Sequence, residues 1–82
     1  MTGNANLDEL VHLLVTSLVD YPDDVKIESK VNEDGTLFEV AVNSEDVGKI
    51  IGRQGRVIKA IRTLVRAAAS VNGSDAMVEV LG

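Results

Sequence analysis

The spacing of apolar residues alternates between a helical and a strand period along the chain, and this alternation limits the folds available to it. Two strand-like segments, 25–31 and 37–42, are joined by the turn signal at 32–35 and predict an antiparallel hairpin. An amphipathic helix precedes them. Its apolar stripe consists of Leu7, Leu10, Val11, Leu14 and Leu18.

Capping signals predict where the helices begin and end. Asn6 is the expected N-cap of the first helix, with Glu9 completing a capping-box pair. Pro22 disfavours helical geometry in the residue before it, so this helix should stop near residues 20–21. Ser44 is the expected N-cap of a second, short helix, and the Asn-Gly pair at 72–73 should end a third.

The third helix begins near residue 56 and carries an apolar face next to a basic one. A short strand over 76–81 follows, so the element order is α-β-β-α-α-β. A strand–helix–helix–strand connection favours a right-handed crossover between parallel strands. The sequence therefore predicts an α+β fold, a mixed three-stranded sheet with the second strand central and three helices on one face. We expect one domain over 1–82, with its core at about 7–81.

Charge is distributed unevenly along the chain, whose net charge is −5. Residues 47–74 contain six basic side chains and no Asp or Glu, whereas the rest holds two basic and 13 acidic side chains. This asymmetry indicates one anion-facing surface on an acidic body. A solvated helix face without a partner would give the same pattern, so charge alone leaves both interpretations open. The six basic residues are Lys49, Arg53, Arg56, Lys59, Arg62 and Arg66.

Residues 52–55, Gly-Arg-Gln-Gly and here called the GRQG loop, lie between the two predicted helices. Glycines permit a tight turn and let a phosphate approach the unpaired N–H groups that begin the next helix. Lys49, Arg56 and Lys59 would surround this approach with positive charge. A lone G-x-x-G also occurs as a plain helix connector. The nucleotide-binding patterns G-x-x-x-x-G-K-[ST] and G-x-G-x-x-G are both missing from the sequence.

The nine residues Val-Gly-Lys-Ile-Ile-Gly-Arg-Gln-Gly at 47–55 resemble the core of a KH domain, whose G-x-x-G loop clamps about four backbone nucleotides. The element order resembles the type II arrangement of that domain. With Asp-Val-Gly at 46–48 and Ala-Ile-Arg-Thr at 60–63, the sequence is similar to the KhpA family, small bacterial single-KH-domain RNA-binding proteins. The resemblance covers about 7–81. Gln54 departs from it, because a second basic residue is frequent there.

This resemblance implies a function and a site. It implies low-specificity binding of single-stranded RNA, RNA chaperone activity and post-transcriptional regulation linked to cell shape. Gly48 and Ile51 would line a base groove next to the loop, together with Leu37 or Ala41. The predicted RNA-binding residues are Gly48, Lys49, Ile51, Gly52, Arg53, Gln54, Gly55, Arg56 and Lys59.

The resemblance also implies protein partners. Members of the family form homodimers, or heterodimers with a larger KhpB-like protein that carries its own KH domain. Leu64 and Val57 lie at the edge of the apolar face of the third helix and are candidates for such an interface. A protein-interaction module whose main partner is KhpB-like is therefore the alternative to an RNA-binding function.

Other function classes have little support in the sequence. The chain has one histidine, His12, and no cysteine, and its acids do not cluster with a base and a nucleophile. We therefore expect no enzyme, no metal site and no cofactor. Two aromatic residues do not suffice for a base-stacking platform. The first six residues lack a signal-peptide pattern, and no apolar run approaches the ~20 residues of a membrane span. We expect a cytoplasmic protein without membrane attachment.

Overall fold

A computed structural model describes residues 3–81, with side chains from residue 7 onward. The termini of the predicted 1–82 domain, residues 1, 2 and 82, lie outside the described residues. Short 3-10 turns cover Pro22–Asp24, Ser44–Asp46 and Arg53–Gly55. The main elements follow the predicted order and are α1 (Gly3–Leu18), β1 (Lys26–Asn32), β2 (Gly35–Ala41), α2 (Val47–Ile51), α3 (Arg56–Val71) and β3 (Ala76–Leu81).

The three strands form one mixed sheet in the order β1-β2-β3. β1 and β2 pair antiparallel, from Lys26 opposite Ala41 to Asn32 opposite Gly35. β2 and β3 pair parallel, with Phe38 opposite Val78. The central position of β2 and the parallel crossover through α2 and α3 were both predicted and are confirmed.

The core lies between one face of the sheet and the helices. Phe38 and Val40 of β2 are fully buried, as their alternation with half-exposed neighbours predicts. The buried apolar cluster combines residues of α1, α2 and α3 with residues of β2 and β3, so the helices cover the face of the sheet that carries these side chains. The opposite face carries Leu37, Glu39 and Ala41 of β2 and is not covered by these elements.

Two predicted helix caps are wrong. α1 begins at Gly3, three residues before Asn6, so Asn6 lies inside the helix, and its side chain lies outside the described residues. Asn43, not Ser44, caps the next segment, because its side-chain oxygen accepts a hydrogen bond from the N–H of Glu45 at 2.9 Å. The chain then makes a 3-10 turn before α2 begins. α1 ends at Leu18, shortly before the predicted stop at 20–21, and α3 ends at Val71, directly before the Asn-Gly pair at 72–73.

Candidate nucleic-acid interface

The GRQG loop joins α2 to α3, and three of its four residues have positive φ angles. α2 ends where the N–H of Gly52 donates to the carbonyl of Gly48 at 2.8 Å, and Gly52 has φ 75°. Gln54 and Gly55 also have positive φ, at 56° and 73°. The left-handed region is open to glycine and strained for glutamine. This backbone turns α3 so that its N-terminus lies directly beside the loop.

The glycines at the interface differ in the space that a side chain would find at each position. A side chain at Gly52 would collide with Val57, whereas a Cβ at Gly55 would only touch Ile58 at 3.9 Å. A Cβ at Gly48 would meet no atom of the described residues within 4 Å. Gly52 is therefore required by packing and Gly55 by its φ angle. In the part of the chain that the structure describes, no packing constraint requires glycine at position 48.

The loop presents backbone hydrogen-bond donors that the described part of the chain leaves without an acceptor. The N–H groups of Gly52 and Gly55 are used within the turn, the latter donating to the carbonyl of Gly52 at 3.1 Å. Within residues 3–81 the N–H groups of Arg53 and Gln54 donate to no backbone or side-chain oxygen. Two adjacent free donors at the N-terminal side of a helix provide an anion-binding geometry.

Three of the six basic residues between 47 and 74 lie exposed at the loop without a carboxylate partner in the described chain. They are Arg53, Arg56 and Lys59, in the loop and the first turn of α3. Gln54 lies beside them, with its Oε1 at 3.5 Å from a guanidinium nitrogen of Arg56. The free positive charge is therefore concentrated where the free N–H donors are.

The other three basic residues are engaged within the protein. The ammonium of Lys49 contacts the carboxylates of Asp20 and Asp46. Arg66 pairs with Asp75 at 3.4 Å. Arg62, which is half-buried, donates from Nε to the carbonyl of Val78 at 2.8 Å. Among the predicted RNA-binding residues, Lys49 alone has its charge compensated by a carboxylate of the described chain.

Asp46 begins the Asp-Val-Gly segment at 46–48, and in the structure its side chain is fully buried beside α2. Its carboxylate accepts hydrogen bonds from the N–H groups of Asp20 at 3.1 Å and Tyr21 at 3.0 Å. The segment that follows α1 is thereby fixed to the start of α2. The only sequence signal for this role was the position of Asp46 at a helix start.

The pKa of Asp46 lies below its ordinary value. Burial by itself would raise this pKa, because it disfavours the charged carboxylate. The two backbone N–H donors, together with the nearby ammonium of Lys49, favour the charged form and outweigh burial. The carboxylate is therefore ionised at neutral pH and holds both donors.

The apolar residues predicted for a base groove do not share one face. Ile51 is 38% exposed at the end of α2, next to the loop. Leu37 and Ala41 alternate with the buried Phe38 and Val40, so their side chains point to the opposite face of the sheet. The expectation that Leu37 or Ala41 lines a groove with Ile51 is therefore wrong. His12 is exposed on α1.

The loop, the helix that follows it and the order of the elements have the arrangement of a type II KH domain. A sequence model of the KH domain of KhpA and KhpB matches residues 8–80. The chain belongs to the KhpA/KhpB KH-domain family. The match includes the whole GRQG loop and both flanking helices.

Three RNA-binding proteins from other bacteria are similar to the chain over 73–99% of its length. The RNA-binding protein KhpA of Clostridium perfringens is 44% identical over 75 residues, 92% of this chain and 100% of the relative. That of Borreliella burgdorferi is 45% identical over 81 residues, 99% of each chain. That of Leifsonia xyli is 52% identical over 60 residues, 73% of this chain and 78% of the relative.

Within residues 3–81 no helix is both long and apolar enough to cross a membrane. The same residues contain no group of three or more His, Cys, Asp or Glu side chains arranged to hold a metal ion.

Proposed function

We propose that the chain binds single-stranded RNA by gripping the sugar-phosphate backbone at the GRQG loop. The observation that carries this proposal is the coincidence of two free N–H donors with three exposed, uncompensated cations at the N-terminus of α3. The relatives named above are called RNA-binding proteins, which supports the same function for this chain.

In this proposal the residues of the loop and of the first turn of α3 make different contributions to RNA binding. The N–H groups of Arg53 and Gln54 donate to phosphate oxygens, and the absence of a side chain at Gly55 lets the phosphate reach them. Arg56 and Lys59 contribute charge from the first turn of α3, and Arg53 contributes it from the loop. Backbone contacts position an RNA strand but carry no base information. We therefore expect low sequence selectivity.

Bases would extend from the gripped backbone along α2. Gly48 has no side chain, so a base can approach the helix backbone there. The exposed side chain of Ile51 provides an apolar contact for a base. Lys49 lies on the same short helix, and its pairing with Asp20 and Asp46 reduces the charge it offers to RNA. We place it at the margin of the site.

We extend the proposal to the roles that the family resemblance implies. A chain of this kind would act in the cytoplasm as an RNA chaperone in post-transcriptional regulation, with a link to cell shape, and without catalysis or a cofactor. Residues 1–82 would form one KH domain. The low selectivity and the single compact interface both suit a protein that contacts many transcripts.

The experiment that tests the clamp compares two variants with the same change in charge. Arg53→Asp with Gln54→Asp changes the loop, and Lys26→Asp with Asn32→Asp changes exposed positions on β1 by the same amount. Binding to a fluorescein-labelled uridine 12-mer is measured by gel-shift titration. We expect the loop variant to bind at least roughly tenfold more weakly, since charge-assisted contacts contribute about 1.5–3 kcal/mol each. Equal loss in both variants, or none in the loop variant, would contradict the clamp.

A second function, as a protein-interaction module, is favoured by an exposed apolar seam on α3. Leu64 is 53% exposed and Val71 84% exposed, and Ala60 and Ala67 lie exposed at matching positions. The spacing of four, three and four residues is that of a coiled-coil seam. Val57, the other candidate from the sequence, packs beneath Gly52 instead.

We propose that this seam contacts either a second copy or a KhpB-like protein. Leu64→Asp should abolish the contact, whereas Leu13→Asp, at an exposed leucine of α1, should not. Sedimentation velocity of each variant, alone and with a purified KhpB-like protein, measures this. Unchanged assembly in the Leu64 variant would remove the seam from consideration.

A further inference from the structure

The face of the sheet opposite the helices carries apolar side chains that the other elements of residues 3–81 leave uncovered. In β2 and β3 these side chains form two pairs, since Leu37 lies opposite Met77 and Ala41 lies opposite Leu81. Met77 is 42% exposed and Leu81 is 46% exposed. A contiguous exposed apolar surface on a small protein is typical of a site of interaction. We call this surface the open face; its other residues are Lys26, Glu28, Lys30, Glu39 and Glu79.

Between the two apolar pairs, three glutamates lie side by side across the sheet and form what we call the glutamate row. The register places Glu39 of β2 opposite Glu28 of β1 and opposite Glu79 of β3. Like charges directly opposite each other on a sheet are unfavourable. The ammonium of Lys30 lies 3.0 Å from the carboxylate of Glu39, whereas within residues 3–81 Glu28 and Glu79 make no ion pair. The open face is therefore apolar on both sides of an incompletely compensated row of negative charge.

The spacing of these features along the strands matches the spacing of side chains on an α-helix. Leu37, Glu39 and Ala41 follow one another in two-residue steps of about 6.6 Å, since a strand rises about 3.3 Å per residue. Four residues of a helix cover about 6 Å, and side chains at i, i+4 and i+8 form one ridge on its surface. A helix lying along β2 and β3 can therefore contact one apolar pair, the glutamate row and the other apolar pair with three successive residues of a single ridge.

We propose that the open face binds an amphipathic helix of a partner protein, with apolar residues at i and i+8 and an arginine or lysine at i+4. One apolar residue packs on Leu37 and Met77, and the other packs on Ala41 and Leu81. The cation between them contacts the glutamate row. Anchors at regular helical spacing are the usual way in which an amphipathic helix binds an apolar surface. This inference does not depend on RNA binding, because the open face shares no residue with the GRQG loop or its flanking helices.

The charge of the glutamate row disfavours the other candidates for this face. RNA and an anionic membrane carry charge of the same sign as the row. A second copy of the chain that stacked its own apolar pairs on these would bring two glutamate rows together, because the row lies between the pairs in both copies. A cationic helix instead reduces the repulsion within the row, and complementary charge of this kind favours one partner over others.

A pair of synthetic helices tests the proposal directly. Each peptide has roughly 20 residues, mostly alanine and glutamine, which is long enough to form a helix in water. The first carries leucine, arginine and leucine at i, i+4 and i+8, and the second has glutamate in place of the arginine. Titration into the ¹⁵N-labelled protein is followed by NMR. We expect the arginine peptide to shift the amide signals of β2 and β3, and to bind roughly fivefold more tightly than the glutamate peptide. No shift in β2 and β3, or equal affinity for both peptides, would overturn the proposal.

Exchanging the charges tests whether the glutamate row recognises the cation. Glu79→Lys should weaken binding of the arginine peptide by roughly fivefold and strengthen binding of the glutamate peptide by a similar factor. Glu9→Lys makes the same change of charge at an exposed position on α1, on the helix side of the sheet, and should leave the preference between the peptides unchanged. If Glu79→Lys and Glu9→Lys change the preference equally, the peptides respond to the net charge of the protein, and the proposal fails.

The apolar contacts are tested in the same titration. Met77→Asp should abolish binding of the arginine peptide, whereas Leu13→Asp, at an exposed leucine of α1, should not. Thermal melting shows whether Met77→Asp still folds, and Met77→Ala, a milder change at the same position, should also weaken binding. All proteins carry Leu64→Asp, which removes the α3 seam from the comparison. Binding that is unchanged in the folded Met77 variants would overturn the proposal.

Discussion

Val57 occupies the space that any side chain at position 52 would need. A Cβ built on Gly52 would lie 2.4 Å from Cγ2 and 2.8 Å from Cβ of Val57. Val57 belongs to the first turn of α3 and packs against the core cluster, so it cannot move without displacing that helix. The loop can therefore lie this close to α3 because residue 52 has no side chain.

Gly52→Ala is expected to destabilise the protein by about 2–4 kcal/mol. The substitution adds the collision with Val57 to the cost of a φ of 75° with ψ of 174°, a region open almost only to glycine. Urea unfolding followed by circular dichroism measures the change. Adding Val57→Ala should recover part of the loss but not the backbone strain. A single variant that unfolds at the wild-type midpoint would show that the loop relaxes freely.

Gly48→Ala is expected to have opposite effects on folding and on RNA binding. Among residues 3–81 no atom that the structure describes lies within 4 Å of the added methyl group, and alanine favours the helix by about 0.5–1 kcal/mol over glycine. The free energy of unfolding should rise by that amount. The affinity for RNA should fall, because the methyl group fills space that we assign to a base. Unchanged affinity would place the groove elsewhere.

Gln54→Gly should stabilise the folded state by about 0.5–1 kcal/mol. Glutamine has φ 56° here, and a non-glycine residue in the left-handed region costs about 1–2 kcal/mol, part of which is offset by the greater freedom of glycine in the unfolded chain. RNA affinity should change little, since the backbone N–H remains. Arg53→Gly is the matched control, because Arg53 lacks a positive φ and should gain no stability. Equal effects in both variants would argue against strain at Gln54.

Much of the fold follows from the sequence because the apolar period dominates each element. Ile58, Ile61 and Val65 are buried in α3 and Phe38 and Val40 in β2, as their spacing indicates. Cap positions were less predictable. Asn43 and Ser44 are adjacent, and the side chain of either residue can cap a helix. Asn43 is the cap because the chain makes a 3-10 turn over Ser44–Asp46, which the sequence did not predict.

The site was only partly predictable because its electrostatics depend on distant residues. Lys49 and Arg53 are equivalent as sequence features, yet Lys49 contacts Asp20, which lies 29 residues away. Asp46 bonds to the N–H of Tyr21 across 25 residues. No local pattern signals such pairs. The sequence therefore located the loop, while the structure determined which cations around it are free.

Lowering the pH should reduce the free energy of unfolding, partly because Asp46 becomes protonated. Because its pKa is lower in the folded than in the unfolded state, the carboxylate contributes stability above its ordinary pKa of 3.8. That contribution is lost as the pH falls below this value and through the lowered pKa of the folded state. Asp46→Asn should lower Tm by roughly 5–10 °C at pH 7, since one of the two backbone donors loses its acceptor.

Thermal melts at several pH values test this assignment. The difference in Tm between wild type and Asp46→Asn should shrink as the pH falls from 5 toward 2. Asp23→Asn, at an exposed position in the 3-10 turn, is the control and should show a small difference at every pH. If the difference in Tm between wild type and Asp46→Asn stays constant with pH, the lower stability of the variant comes from packing and not from the charge of Asp46.

The salt dependence of RNA binding should distinguish free from engaged cations. Each phosphate neutralised on a single strand contributes a slope of roughly 0.7 in log affinity against log salt, so three or four contacts give about −2 to −3. Arg56→Ala and Lys59→Ala should each make the slope shallower by about 0.7. Arg66→Ala should leave it nearly unchanged, because Arg66 is paired with Asp75. Gel-shift titrations from 50 to 300 mM KCl supply the slopes. If Arg66→Ala lowers the slope as much as Lys59→Ala, the RNA follows the whole basic face of α3 and the loop is not its main contact.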